Sequence, residues 1–361
     1  MSLRTTRLHP SRRSRGSAAA AVGTSLALAL CLVGIGTAPA DAATTRTIHP
    51  GDNVLTAMQG LHAGDTLLLA AGTYNTGYLR VTPMAAGTAA APITIRAADL
   101  AHPPLLVGGL RFYSPMYVVL KSLRVQATSP GLSALVMDGG VGWTVDTSEF
   151  WGARQTGAYA NVTISGTGGY PRSWAFTQNC VHDAALNPGP DATDHNVYVT
   201  YQGATPTTGL LIRNLIFGAP HGENIKIGNG GLDGTLGPWG VRVANNTLAS
   251  GGRQILLHAN VGNNTIVGNL FYNATQLFVS NPQTTQIYVH DVIGSGNYVS
   301  HNYSYLASML MYDPLHKVTV GAGNVMGANP TFDAPGSCTG YHPSLAAAIP
   351  YGRWGTGSWA R

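Results

Sequence analysis

The side chains best suited to acid–base chemistry are concentrated between residues 183 and 258. Residues 44–361 contain only three lysines and two glutamates, yet Glu223 and Lys226 stand three positions apart. The same segment carries further ionisable side chains, namely Asp183, Asp191, Asp194, His195, His221, Arg253 and His258. Carboxylates, imidazoles and an amine can move protons and neutralise charge when they lie close together. This segment is therefore the candidate site.

Whether these side chains meet depends on strand register. Successive side chains of a strand alternate between its two faces, so inward Ile225 and Ile227 leave Lys226 outside. The same pattern in neighbouring strands predicts one outward column of Tyr198, Lys226, Leu256 and Phe278. It predicts a second column of Asn196, Asn224, Gln254 and Gln276, and beyond that a group of His195, Glu223 and Arg253. A slip of one residue would abolish the grouping.

Each group also has a purely structural interpretation. Glu223 and Arg253 form a surface ion pair in that interpretation, and His195 and His221 are turn histidines. Lys226 is then a solvated lysine, and the column that starts at Asn196 is a ladder of stacked amides.

The elements that position these residues follow from a repeated phrase. An apolar residue, two others, an Asn or small residue, one other and an apolar residue recur at 145–150 (VDTSEF), 176–181 (FTQNCV), 211–216 (LIRNLI), 243–248 (VANNTL), 266–271 (IVGNLF) and, more weakly, 320–325 (VGAGNV). The fourth positions are 31, 35, 32, 23 and 54 residues apart, the last gap being about two coils. Coils that bury apolar residues against the coils above and below require such columns. An Asn at an inward bend can bond to the Asn of the next coil. The pattern predicts an all-β, right-handed parallel β-helix.

The first 43 residues are typical of an export signal. Five arginines precede an apolar stretch from about residue 18 to 36, and small-residue cleavage sites follow it. A membrane anchor is the alternative, although the apolar stretch is short for a span. We therefore expect a secreted, extracellular β-helix over 44–361, with N-terminal coils at 44–125, central coils at 126–326 and a tail at 327–361.

Removing the signal leaves 15 basic and 14 acidic residues, so the mature chain is nearly neutral. Its charge predicts neither nucleic-acid nor membrane binding, and we expect a monomer. It keeps Cys180 and Cys338, which export would allow to pair; a disulfide and two free thiols both stay open.

Several segments resemble secreted β-helix proteins that act on polysaccharides, of the pectate lyase, chondroitinase B and alginate lyase families. The matching segments are 64–74 (GDTLLLAAGTY), 91–97 (APITIRA) and 117–123 (YVVLKSL), with 329–332 (NPTF) and 341–345 (YHPSL) in the tail. Residues 221–228 (HGENIKIG) resemble the Asn-Gly-Gly-Glu-x-Ile-Arg-Ile-Gly segment of chondroitinase B and alginate lyases. Lys226 replaces the Arg of that segment, one Gly is missing, and a second Glu-rich segment that ends in a catalytic Lys is absent.

The resemblance implies β-elimination on a uronic-acid polysaccharide. This reaction needs a base for the C5 proton, an acid for the leaving oxygen and a group that neutralises the sugar carboxylate. We expect Lys226 or Arg253 as base or neutraliser, Tyr198 or His195 as proton donor, and His221, His258 and Phe278 as substrate-binding residues. Ca²⁺ held by Glu223, Asp194 and Asp191 could neutralise the carboxylate instead, and no other cofactor is expected.

Two alternatives stay open. A glycoside hydrolase would use two of Asp191, Asp194 and Glu223. A non-catalytic glycan-binding or structural module would offer Trp143, Trp151, Tyr198 and Phe278 as surfaces on which sugars stack.

Overall fold

Short strands follow one another along the chain, as the repeated phrase requires. The computed structural model describes residues 42–82, 84–129, 131–153, 160–167, 169–184, 194–202, 208–228, 236–275, 283–292 and 294–358. In chain order the elements are β1 (Thr45–Ile48), α1 (Val54–Gln59), β2 (Thr66–Leu69), β3 (Thr73–Asn75), β4 (Leu79–Val81), β5 (Ile93–Ala97), β6 (Leu105–Gly108), β7 (Leu110–Tyr113), β8 (Val118–Lys121), β9 (Arg124–Ala127), β10 (Leu135–Asp138), β11 (Thr144–Asp146), β12 (Glu149–Trp151), β13 (Ala160–Ser165), β14 (Trp174–Thr177), β15 (Cys180–His182), β16 (His195–Thr200), β17 (Gly209–Ile212), β18 (Leu215–Gly228), β19 (Leu236–Trp239), β20 (Val241–Ala244), β21 (Thr247–His258), β22 (Asn260–Gly262), β23 (Thr265–Val267), β24 (Leu270–Ala274), β25 (Thr285–His290), β26 (Asn297–Ser300), β27 (Tyr303–Tyr305), β28 (Met309–Tyr312), β29 (Val318–Val320) and β30 (Val325–Met326).

These strands stack into long parallel sheets. One sheet has 11 strands, from β1 through β2, β5 and β8 to β29. A second has 17 strands and covers two faces, because β18 pairs with β15 near its start and with β16 near its end. Neighbours in these sheets belong to successive coils and run parallel. The predicted parallel β-helix is confirmed.

The interior consists of columns of aliphatic and aromatic side chains. Val197, Ile225, Ile255 and Ile287 succeed one another from coil to coil and are fully buried. Trp143 stacks on Trp174 with the ring centres 5.3 Å apart. Trp143 is wholly buried, so the idea that it stacks on sugars is wrong.

A ladder of buried asparagines follows the bend that the repeated phrase predicts. Each side-chain amide donates to the side-chain oxygen of the next coil, from Asn179 through Asn214, Asn246, Asn269 and Asn302 to Asn324. Each of these oxygens also accepts a backbone N–H of the coil before it. Every buried amide is satisfied within the stack, which makes the bend both tight and specific.

Different elements pack against the coils near the two ends of the solenoid. Near the N-terminal end, α1 buries Val54, Ala57 and Met58. At the other end, the tail returns along the coils and Cys338 forms a disulfide with Cys180, so the open question about these thiols is resolved. The Arg353 side chain donates to the backbone oxygen of Gln178 at 3.1 Å, which fixes the tail further.

Residues 43–361 form one compact unit. Within the described residues, no helix has the length and apolar character needed to span a membrane.

Candidate active site

The outward column predicted from strand alternation exists on the 17-stranded sheet. Tyr198 of β16 lies opposite Lys226 of β18, and Lys226 lies opposite Leu256 of β21. The next member is Tyr288 of β25 rather than Phe278, so the last step of the predicted register is wrong. The chain inserts residues 275–284 before β25 begins, and this insertion displaces the register. Phe278 lies outside the described residues.

Beside this column, three ionisable side chains form a fully buried group. Oε1 of Glu223 accepts from Nη1 of Arg253 at 2.9 Å, and Oε2 lies 2.8 Å from Nδ1 of His195. The three residues are only 1–3% exposed. The sequence prediction that Glu223 lies between His195 and Arg253 is confirmed. The interpretation as a surface ion pair is wrong, because the coil packing excludes water from the group.

Burial and mutual contacts determine the protonation states of these three side chains. Burial raises the pKa of Glu223, but His195, Arg253 and Lys226 outweigh it and hold that pKa below its usual range. Burial lowers the pKa of His195, against the opposing effect of Glu223. Nδ1 of His195, which lies 2.8 Å from Oε2 of Glu223, also accepts from the Glu223 backbone N–H at 3.4 Å, and among the described residues the buried Nε2 has no hydrogen-bond partner. The group is therefore a carboxylate, a guanidinium and a neutral imidazole.

Lys226 lies at the edge of this group. Its Nζ lies 4.9 Å from the centre of the Tyr198 ring, and the Tyr198 ring meets the His195 ring edge-on. Burial lowers the pKa of the Lys226 amine; Glu223 opposes that effect and Arg253 adds to it. A partly desolvated amine of this kind is a better base near neutral pH than an ordinary lysine.

Arg253 connects the buried group to the next coil. Its guanidinium carbon lies 4.2 Å from the centre of the Tyr288 ring. Burial lowers the pKa of Arg253 to about 10, with Glu223 and Tyr288 opposing. Tyr288 in turn stacks on Tyr312 with the ring centres 5.6 Å apart. Tyr288 and Tyr312 escaped the sequence reasoning, although the alternation of Ile287 and Val289 in β25 was available to find them.

An amide ladder underlies the site. Asn161 donates to Asn196, Asn196 to Asn224 and Asn224 to Gln254, all between side chains. The interpretation of this column as stacked amides is confirmed through Gln254. Gln276 lies outside the described residues, and Gln286 of β25 is the buried amide two positions before Tyr288.

The remaining predicted residues surround this centre. His258 follows Leu256 by two positions, lies opposite Gly228, and stacks on His290 of the next coil. Asp194 is buried, which raises its pKa, while His195 and His221 lower it. His221 is half-buried, two residues before Glu223. Asp191 lies outside the described residues.

The carboxylates do not fit a calcium ion centred on Glu223. Ca²⁺ requires several free oxygen ligands, whereas both oxygens of Glu223 already contact Arg253 and His195. Among the described residues, two groups bring three ligand atoms close together, and neither contains Glu223 or Asp194. One of them includes Cys180 and Cys338, whose sulfurs form the disulfide. The other consists of His258, His290 and Asp291.

Comparison with known proteins gives only distant structural similarities. No protein-family model and no curated protein matches the chain. Among solved structures, a PL6 alginate lyase in complex with a trisaccharide is 13% identical over 76% of this chain, with a TM-score of 0.49. The chain spans 62% of the length of that lyase. Alginate lyase from Paenibacillus sp. str. FPU-7 is 18% identical over 78% of this chain and 99% of its own (TM-score 0.37). Pectate lyase Pel9A is 12% identical over 78% of this chain and 79% of its own (TM-score 0.42). Because all three TM-scores are below 0.5, these similarities carry no argument, and the chemistry must be argued from the site.

Proposed function

We propose that this chain is a secreted, monomeric lyase that cleaves a uronic-acid polysaccharide by β-elimination. The observation that carries the proposal is the Lys226 amine, which is partly desolvated and packed on Tyr198 beside the buried Glu223–Arg253 pair. An ion pair with a purely structural role does not require a neighbouring lysine whose pKa is lowered. Perturbed groups of this kind cluster at functional sites.

Lys226 is the base in this proposal. Its neutral amine takes the C5 proton of the uronate, and the electron pair left on C5 forms the double bond to C4. The bond from C4 to the bridging oxygen breaks, and the Tyr198 hydroxyl donates its proton to that oxygen. No water is consumed, so one product carries an unsaturated sugar at its new end.

Arg253 and His195 act through Glu223 rather than on the sugar. Both are almost completely buried, and both contact the Glu223 carboxylate. Arg253 disfavours the protonated form of Lys226, whereas Glu223 favours it. The opposing effects of Arg253 and Glu223 set the pKa of Lys226. The contacts within the group fix the positions of the Glu223, Arg253 and His195 side chains. They are positioning residues.

The sugar carboxylate is held by His258 and His290 in this proposal. These two imidazoles stack with ring centres 5.2 Å apart, in the outward column next to Lys226. Calcium is not assigned to Glu223, because both oxygens of that carboxylate are buried in contact with Arg253 and His195. For the same reason Glu223 is unsuited to be one of the two carboxylates of the hydrolase alternative, and the remaining pair includes Asp191, which lies outside the described residues.

A non-catalytic glycan-binding module is the second candidate, and one observation favours it. Tyr288 and Tyr312 stack in adjacent coils with nearly parallel rings and are only half-buried, so a row of partly exposed aromatic side chains follows the coils. Such a row would hold a polymer with or without chemistry.

An assay on four polymers separates these possibilities. Mature protein is incubated with pectate, alginate, hyaluronan and chondroitin, and ultraviolet absorbance from the unsaturated end is followed. The proposal predicts a rise on at least one uronate polymer. New reducing ends without absorbance would indicate hydrolysis. Binding without either signal would indicate the glycan-binding module.

A further inference from the structure

Two histidines and an aspartate converge at one edge of the outward face. Nitrogen atoms of His258 and His290 and a carboxylate oxygen of Asp291 all lie within 4.8 Å of one another. Nδ1 of His290 is 3.3 Å from Oδ2 of Asp291. We propose that these three residues form a binding site for a divalent transition-metal ion such as Zn²⁺.

The donor set selects the kind of metal. Imidazole nitrogens suit zinc and its first-row neighbours, whereas Ca²⁺ and Mg²⁺ prefer oxygen ligands. Two imidazoles and one carboxylate leave at least one coordination position for water or substrate, as in catalytic zinc sites. The site therefore differs in both chemistry and place from the calcium site predicted at Glu223.

The coil stacking brings the ligands together. His258 of β21 and His290 of β25 occupy the same register position in successive coils. On the other side of His258 stands Gly228, where an added Cβ would come within 2.8 Å of the His258 Cβ. A residue with a side chain at 228 would push His258 out of the column. The absence of a side chain at 228 keeps this position open.

The environment holds the rings while leaving one side accessible. His258 is 8% exposed, whereas the side chains of His290 and Asp291 are 43% and 55% exposed. The other face of this cluster is packed, because the His290 ring stacks on Tyr288, which itself lies on Arg253. A bound ion would thus be held against the packed side of the cluster and remain accessible to solvent on the other side.

The site has a consequence that rests on the proposed function. Leu256, two residues before His258, lies directly opposite Lys226. An ion held at His258 would bind a uronate carboxylate close to the base and add positive charge there. Neutralising this carboxylate makes the C5 proton more acidic.

Titration of the untagged, chelator-treated full chain with ZnCl₂ in a calorimeter tests the inference. We expect one Zn²⁺ per chain, and no saturable binding of Ca²⁺ at the same concentrations. His290→Ala and, independently, Asp291→Asn should each weaken Zn²⁺ binding by about tenfold or more. His102→Ala is the matched control, because His102 also pairs with an aspartate, Asp99, at 2.7 Å. That variant should bind Zn²⁺ as the wild type does.

No saturable Zn²⁺ binding, or binding unchanged in both folded ligand variants, would overturn the inference. Its failure is distinguishable from failure of the proposed function. Lys226→Ala should bind Zn²⁺ normally while losing lyase activity. A wild-type protein that binds Zn²⁺ here but shows no activity on any polymer would contradict only the proposed function.

Discussion

The amine of Lys226 lies 4.9 Å from the centre of the Tyr198 ring, which belongs to the preceding coil. The contact places the lysine of the candidate site against a tyrosine whose hydroxyl can donate a proton. Beneath it, Glu223 is enclosed between a guanidinium and an imidazole.

Replacement of Lys226 by Ala should abolish catalysis and spare the fold. Loss of a general base typically costs about 10²–10⁴ in rate, and we expect the loss in kcat rather than in KM. Initial rates measure kcat and KM, and circular dichroism shows whether the variant is folded. Lys317→Ala, an exposed lysine far along the chain, is the control and should keep full activity. Wild-type kcat in folded Lys226→Ala would rule out this base.

The pH profile reports the protonation state of Lys226. Burial lowers the pKa of its amine below the ordinary 10.5. A base must be unprotonated, so kcat/KM should rise with pH and level off below 10.5. A profile of kcat/KM against pH measures the apparent pKa. If activity instead falls as pH rises over this range, Lys226 acts as a cation and the assigned role is incorrect.

Glu223→Gln should destabilise the protein, because it leaves the Arg253 charge buried and unneutralised. Breaking one side of a buried ion pair costs about 3–5 kcal/mol, measurable as a lower free energy of unfolding in urea. Lys121→Ala is the control, since Lys121 is 42% exposed and pairs with Asp146. Its loss should cost less than about 1 kcal/mol. Equal effects of the two variants would show that water reaches Glu223.

His182 should make stability depend on pH. Burial lowers its pKa, but Asp183 and Glu149 outweigh burial and raise it to about 9, from 6.5 in an unfolded chain. The folded state therefore binds the proton more tightly. Its stabilising effect is complete below pH 6.5 and is lost as pH rises through about 9. We expect a loss of roughly 1–3 kcal/mol in unfolding free energy over that interval. His182→Gln should show a flatter pH dependence, and an unchanged slope would contradict the assignment.

Much of the fold could be predicted from the sequence because stacking imposes a repeat. The phrase centred on Asn179, Asn214, Asn246 and Asn269 marks the buried ladder correctly. Asn302, which lies in the gap of 54 residues, was missed, and the last position falls on Asn324 rather than Gly323. Both copies depart from the phrase. Residues 299–304 (VSHNYS) end in Ser304 rather than an apolar residue, and residues 321–326 (GAGNVM) begin with a glycine.

The site could be predicted for the first three strands of the outward column and not for the fourth. Alternation alone aligned Tyr198, Lys226 and Leu256, and placed Glu223 opposite Arg253. It failed at Tyr288 and therefore missed His290, because residues 275–284 intervene before β25. Burial could not be foreseen either, since a charged residue that faces outward is normally solvated. The burial of Glu223 results from its packing against Arg253 and His195, which the sequence does not show.

The mass of the products tests the central claim most directly. β-Elimination adds no water, so the product with the new non-reducing end must be one water lighter than the same oligosaccharide released by hydrolysis. We predict this lighter, unsaturated product from a uronate polymer treated with wild-type protein, and none from Lys226→Ala. Products of hydrolytic mass, or intact polymer in every reaction, would contradict the assignment of this chain as a lyase.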